Sequence, residues 1–261
     1  MGGLIDPSFS RIPRIDKKII MAYRLVIEPK QIQAQQIYLN LEQVHYLKRV
    51  VRLNQGDCFI AVDGEGNSWL ASLDGNQAVI IESLLTPNTE LPWSLTLVTA
   101  IVKGNGFDEI VRCCTELGVR VIIPTLTSRT LSQPSSHKVE RWRKIAQEAV
   151  EQSERQIIPT ILDPVPFTQV MGTLISREKS NYLCLTRQET PHLLTCLRES
   201  VGTEIVIATG PEGGWTATEI EEAIASGFQP VNLGNRILRA ITAPIAATSL
   251  VAAVAEGSFK Q

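Results

Sequence analysis

The sequence predicts an α/β chain in two parts: a small β-barrel-like domain carrying one helix, then a larger domain whose parallel sheet is covered by helices on both faces. Three observations carry this. Up to about residue 85, short β-type runs are punctuated by the hairpin signals "DGEGN" and "DGN". From residue 94 onward, apolar strand-like runs alternate with helical stretches, the pattern of a parallel sheet. Between them "LLTPNTELPW", with its prolines and asparagine, breaks both patterns and reads as a boundary.

Residues 1–20 are mixed and poorly periodic, an N-terminal extension; "MAYRLVIEP" after them starts afresh with a strand. The first domain, residues 21–90, has strands predicted at 24–27, 58–62, 68–73 and 77–82 and a helix at 41–51. The second, residues 91–261, has strands predicted at 94–101, 119–125, 182–185, 204–208 and 230–233. Its helices are predicted at 108–117, 139–153, 191–198, 217–226 and 243–256.

A hydrophobic fraction of 44% over 261 residues gives a substantial core without staples. The cysteines, Cys58, Cys113, Cys114, Cys184 and Cys196, are odd in number and show no C-x-x-C spacing. They therefore support neither a disulfide framework nor a zinc site, and no metal is expected. No run of eighteen apolar residues occurs, and the N-terminus lacks the apolar core of a signal peptide. The expectation is a cytoplasmic protein with no membrane partner. The net charge of -2 conceals two basic segments. Residues 1–55 carry nine Lys/Arg against four Asp/Glu, and residues 120–145 carry six against Glu140 alone. Such segments hold a polyanion or are ordinary solvated faces.

Four stretches bear on chemistry. In "VIATGPEGGWTATEI" an apolar strand enters a turn holding Gly210, Pro211, Glu212, Gly213 and Gly214, and then a helix opened by a capping box of Thr216 and Glu219. Amides at a helix N-terminus suit a carboxylate, a phosphate or a ribose edge, although glycine also serves plain tight turning. The G-x-G-x-x-G fingerprint of nicotinamide enzymes is absent, and "KGNGFDE" is a poor substitute, which sets a nucleotide-dependent oxidoreductase aside. In "LGNRILRAITAPIAATSLVAAVAEG" an alanine-rich helix tolerates Pro244 in its first turn and lets other backbones approach; the loop before it, residues 234–239, is the functional candidate. In "HYLKRVVRLNQGD", His45, Arg49 and Arg52 fall at i, i+4 and i+7 with Lys48 beside them, one basic helix face. Its reading as a phosphate-contacting face gains from the second basic segment, which contains Arg129. In "QEAVEQSERQIIP", Glu151, Gln152, Ser153 and Arg155 crowd a helix end with more polar specificity than a terminus needs.

Taken together, "HYLKRVVRL", "FDEIVRCCTELGV", "TSRT", "RWRKIAQEAVEQSERQIIP", "GPEGGWTATE" and "LGNRILR" resemble, in order and approximate spacing from residue 21 to the C-terminus, the RsmE family, which methylates N3 of a uridine in 16S ribosomal RNA of the small subunit. The resemblance implies a SPOUT methyltransferase domain, a parallel sheet with a trefoil knot around S-adenosyl-L-methionine, preceded by a PUA-like RNA-binding barrel and working as a homodimer. It implies that Leu185 and Thr186, the turn with Gly210, Pro211, Gly213 and Gly214, and the loop with Leu233, Gly234, Ile237 and Leu238 hold the cofactor. His45, Lys48, Arg49, Arg52 and Arg129 then contact RNA. Arg155 is assigned to stabilising the uracil anion and Glu212 to polarising or accepting its proton. The chain departs from the family at Ile241-Thr242-Ala243, where Glu-Thr-Ala is usual. The alternatives are another SPOUT RNA methyltransferase with a different target, and a non-catalytic RNA-binding dimer of the same fold.

Overall fold

The computed structural model describes residues 23–85, 89–131, 133–174, 179–200 and 202–257; the expected extension at 1–20 lies outside them. The chain forms two compact units: the described part of Met1–Val62 with Asn67–Leu85, and Asp63–Gly66 with the described part of Thr86–Gln261.

The first unit is a six-stranded sheet of β1 (Arg24–Val26), β2 (Ile32–Gln33), β3 (Gln36–Tyr38), β4 (Cys58–Val62), β5 (Ser68–Asp74) and β6 (Gln77–Ser83), in the order β1-β4-β5-β6-β3-β2. β1 runs parallel to β4 and every other pairing is antiparallel. "DGN" closes the β5–β6 hairpin, with Gly75 at φ 61°. Its core is Leu25, Ile27, Ile37, Leu47, Phe59 and Leu73. The buried amide of Gln43 ties α1 (Leu41–His45) to the sheet through the Val26 carbonyl at 2.9 Å.

The helix expected at 41–51 is a correction. It starts as α1, capped by Asn40, but continues as a π-helical turn over Tyr46–Val50, and Arg52 leaves it with φ 65°. The wider π turn and the left-handed residue cancel the i, i+4, i+7 alignment. His45, Lys48, Arg49 and Arg52 are all exposed, but they do not form one helix face. β2 and β3, each two or three residues long, are too short to carry a readable period.

The second unit is a seven-stranded, wholly parallel sheet: β7 (Ser94–Ala100), β8 (Val121–Leu126), β9 (Thr160–Ile161), β10 (Val165–Pro166), β11 (Ser180–Cys184), β12 (Glu204–Thr209) and β13 (Gln229–Val231). The order is β10-β8-β7-β12-β11-β13, with β9 beside β8. The central strands are largely apolar because both faces are covered, and alternate residues serve opposite clusters. Ile205 and Ile207 join Leu95, Leu97 and Ile122 on one face, while Val206 and Ala208 join Val98, Ile123 and Leu183 on the other.

The first face is covered by α2 (Gly106–Glu116), α3 (Ser136–Ser153), α5 (Leu193–Glu199) and α7 (Thr242–Gly257) through Phe107, Trp142, Leu197 and Val251. The second carries α4 (Phe167–Gln169) and α6 (Ala217–Ala225) through Phe167 and Ala223. The alanines of α7 allow close approach: Ala247 and Ala255 are fully buried, and the helix lies against α2, α5, β7 and β12. Because β12, β11 and β13 are parallel neighbours, the loops leaving their C-terminal ends gather at one edge of the sheet.

Candidate active site

The loops after β11, β12 and β13 enclose a pocket of about 760 Å³. Leu185, Thr186, Gly210, Pro211, Gly213, Gly214, Leu233, Gly234, Ile237 and Leu238 all line it, so residues as far apart in sequence as Leu185 and Leu238 meet in one cavity.

Local chemistry explains each wall. Gly210 lets the next aromatic fold back over the turn: a Cβ there would lie 3.0 Å from the Trp215 ring. That ring donates from Nε1 to the Cys184 carbonyl at 3.2 Å and packs on Phe167 at 4.4 Å between centroids, bracing the turn against β11. Gly214 holds φ 70°, a left-handed conformation open to glycine, and its amide closes onto the Pro211 carbonyl at 2.9 Å. Gly234 sits at φ 107°, and its amide is received by Asn232 Oδ1 at 3.0 Å. Burial pushes the Cys184 thiol up to about 12, so that wall is a neutral thiol.

The helix after the glycine turn begins with the expected capping box: Thr216 accepts the Glu219 amide at 3.2 Å, and Glu219 Oε2 accepts the Thr216 amide at 2.8 Å. Glu212, exposed at the pocket rim, accepts the Lys103 amide through Oε1 at 2.9 Å, tying the glycine turn to the loop before α2.

Arg155 is elsewhere. It is 2% exposed and does not line the pocket. Its guanidinium pairs with Glu90 and donates to the carbonyls of Thr115 and Val119 at 2.8 and 3.0 Å. Every face of it is engaged in holding the end of α3 to the end of α2, so the assignment to the uracil anion is corrected to a structural one.

Arg129, assigned from charge alone to RNA, lines the pocket and donates through Nη1 to the Gly213 carbonyl. Sequence reasoning missed Trp215 and Arg187, which also line the cavity, and did not single out Arg236 and Arg239 within the candidate loop 234–239. Trp215 was visible beside the glycines; the arginines carried no periodic signal, and the φ of 60° at Arg187 appears only in the fold. Ile241, where the resemblance leads one to expect Glu, lines the pocket and fills the space over Gly106, where a Cβ would lie 2.6 Å from its Cδ1. Among the described residues no group of three or more His, Cys, Asp or Glu side chains is arranged to hold a metal ion, and no helix is long and apolar enough to cross a membrane.

Comparison with known proteins matches two domain models. Residues 89–252 match the model of the RNA methyltransferase domain, and residues 39–82 that of the RNA methyltransferase PUA domain. The chain is 46% identical over 259 residues to the ribosomal RNA small subunit methyltransferase E of Synechocystis, covering 97% of this chain and 85% of the relative. To the Bacillus subtilis protein of the same name it is 31% identical, covering 80% and 87%. The crystal structure of the Neisseria gonorrhoeae ribosomal RNA small subunit methyltransferase E bound to S-adenosyl methionine superposes with a TM-score of 0.79 at 30% identity, covering 87% of this chain and 95% of that one. With a family model spanning more than half its length and relatives above 30% identity along most of it, the chain belongs to the ribosomal RNA small subunit methyltransferase E family.

Proposed function

We propose that this protein is an S-adenosyl-L-methionine-dependent methyltransferase acting on N3 of a specific uridine in 16S ribosomal RNA, cytoplasmic, working as a homodimer with the three pocket loops forming a trefoil knot. The observation that carries the reading is the convergence of loops 185–188, 210–215 and 233–241 in one pocket, in a chain of this family.

The pocket fits the cofactor on its own terms. Its volume suits a nucleoside-sized ligand. Glycines at 210 and 213, where a Cβ would crowd Trp215 and Arg129, and Gly214 in its left-handed conformation bring backbone amides and carbonyls to the surface, and Leu185, Leu233 and Leu238 give an apolar wall for a purine. When bound, the cofactor supplies an electrophilic methyl group on a sulfonium.

The chain's own residues have two tasks. The first is to hold the base in line, because orientation is a large part of the rate. The second is to favour the base without its N3 proton, because N3 has no available lone pair while that proton is in place. Glu212 stands at the rim with Oε1 fixed by the Lys103 amide, a carboxylate suited to receive the proton. The exposed basic residues His45, Lys48, Arg49 and Arg52 supply phosphate contacts in the first unit.

Mass spectrometry of ribosomal RNA from a strain lacking the protein tests the reading. Loss of one N3-methyluridine from the small-subunit RNA, restored by purified protein and S-adenosyl-L-methionine, is expected. Loss of a different modification redirects the target within the SPOUT class, and an unchanged RNA leaves a non-catalytic RNA-binding dimer.

A further inference from the structure

The loop after β8, residues 127–130, is fastened more heavily than a surface connection needs. Thr130 Oγ1 accepts the Thr127 amide at 2.9 Å and lies 2.9 Å from Thr127 Oγ1, closing the turn. Ser128 donates its amide to Glu219 Oε1 at 2.7 Å, across 91 residues of chain. The capping box of α6 uses only the other oxygen, Oε2. Glu219 therefore gives one oxygen to its own helix and one to the loop. It is 5% exposed. Burial alone would raise its carboxyl, but hydrogen bonds from Thr216 and Ser128 hold it below the ordinary carboxylate range, a fixed anion.

Next to Ser128 sits Arg129. Its Nη1 donates to the Gly213 carbonyl, and its stem crosses Gly213 so closely that a Cβ there would lie 3.0 Å from Cδ. The side chain is exposed at the pocket, and its Nε and Nη2 take no partner among the described residues. Arg187, Arg236 and Arg239 share the pocket wall but make no side-chain hydrogen bond or ion pair among the described residues. A cation that is already fixed needs no ordering when charge develops beside it, and such preorganised groups stabilise developing charge most. The other three arginines, exposed and without such a fastening among the described residues, suit the phosphates of a flexible strand instead.

Resting on the proposed reaction, we infer that Arg129 is the group that stabilises the N3-deprotonated uracil, and that Glu219 is a positioning residue acting on it through the Ser128 amide. In this step the N3–H bond breaks and the proton passes to the Glu212 carboxylate and on to solvent. The electron pair stays on N3 and spreads onto O2 and O4. A planar guanidinium with two unengaged nitrogens can donate in the plane of the flat anion to O2 or O4, where the charge spreads, leaving the N3 lone pair open to the methyl group, a geometry an ammonium lacks.

The test uses full-length protein and small-subunit ribosomal RNA transcribed in vitro with either uridine or 5-fluorouridine. Fluorine makes N3 more acidic, so the anion is populated nearer neutral pH. Wild type should bind the fluorinated RNA more tightly, and Arg129→Ala should lose that preference. Its kcat should fall about 100- to 1,000-fold near neutrality, with the rising limb of the pH profile displaced to higher pH. Cofactor affinity by calorimetry should stay unchanged, and Arg129→Lys should recover part of the loss. Glu219→Gln should move the same limb the same way by less. So should Ser128→Pro, which removes the donor amide and leaves the capping box in place. Arg129→Ala with a wild-type limb and an intact preference for 5-fluorouridine overturns the role of Arg129. Positioning variants that lower kcat equally at every pH overturn that of Glu219. Absence of uridine methylation by the wild type itself would instead strike the proposed reaction.

Discussion

The guanidinium of Arg155 lies against the carboxylate of Glu90, with Nη2 2.5 Å from Oε2 and Nε 3.1 Å from the same oxygen. Glu90 Oε1 also receives the amides of Gln156 and Ile157 at 3.0 and 3.2 Å. One side chain thus organises the turn that follows α3, where Glu154 is left-handed at φ 61°.

Removing one member of a buried, hydrogen-bonded pair leaves the other charge without compensation, at a cost of about 3–5 kcal/mol. Arg155→Met is therefore expected to lower the free energy of unfolding by that order in urea titrations, while the folded fraction keeps wild-type cofactor affinity and turnover. Wild-type stability with lost turnover would return Arg155 to the chemistry.

Arg155 also marks the limit of what the chain discloses. Its excess polarity at a helix end was legible, but the explanation lay in Glu90, 65 residues earlier, and in the carbonyls of Thr115 and Val119, none of which any local period connects to it. The long strands and helices were readable from their apolar runs and periods: β4 at Cys58–Val62 falls where its short apolar run placed it, and α6 starts at its capping box. The turn at Gly210 was legible from glycine chemistry, whereas the meeting of Leu185 with Leu233 and Leu238 depended on strand order, which composition does not encode. The π turn at Tyr46–Val50 escaped because its residues read as an ordinary helix and only packing widens it.

The glycines of the turn divide by mechanism. Gly214 is at φ 70° with nothing within 4 Å of an added Cβ, so Gly214→Ala meets backbone strain of about 1–2 kcal/mol but no clash. Gly213 has no such strain, and its added Cβ meets the Arg129 stem. Gly213→Ala is expected to reduce kcat more than cofactor affinity, whereas Gly213→Val, with its branched bulk, should abolish cofactor binding. Calorimetry beside steady-state kinetics separates them, and equal effects of Gly213→Ala on both quantities would mean that Arg129 does not depend on that glycine.

Arg49 and Arg52 are exposed, though no longer on one helix face. If each meets a phosphate, the double change to alanine should weaken RNA binding and reduce the slope of log affinity against log salt by up to about 1.8, near 0.9 per duplex phosphate contact. Titrations at four or more salt concentrations would measure it. A wild-type slope would show these arginines to be solvated only.

Glu219 gives a pH signature. Its carboxyl is held below the ordinary value in the folded protein, so its contribution to stability is fully present above the unfolded pKa, near 4.3, and is lost as pH falls through the folded value. The stability difference between wild type and Glu219→Gln should accordingly be large at pH 7 and shrink at acid pH. Unfolding midpoints at pH 7 and at roughly pH 3.5 test this; a difference independent of pH would mean that the charge on Glu219 contributes nothing.

Ile241 decides how the chain's departure from its family is read. Its Cδ1 occupies the space above Gly106, and it packs against the apolar cluster that includes Val102 and Phe107 while lining the pocket. Ile241→Glu would exchange that apolar contact for a carboxylate near the first residue of α2, where the partial positive charge of a helix N-terminus favours an anion by a few tenths to about 1 kcal/mol. Lost packing and gained electrostatics oppose each other, so the variant should fold with a stability loss of about 1–2 kcal/mol. The pocket already has a rim carboxylate in Glu212, fixed by the Lys103 amide, and in the proposed reaction that carboxylate receives the proton without a second one at position 241. Turnover of Ile241→Glu on small-subunit RNA is therefore expected to stay level or fall, while Glu212→Gln lowers it. A rise in turnover with Ile241→Glu, most of all one that persists in the Glu212→Gln background, would show that the native pocket lacks a useful carboxylate and that isoleucine at this position limits the rate.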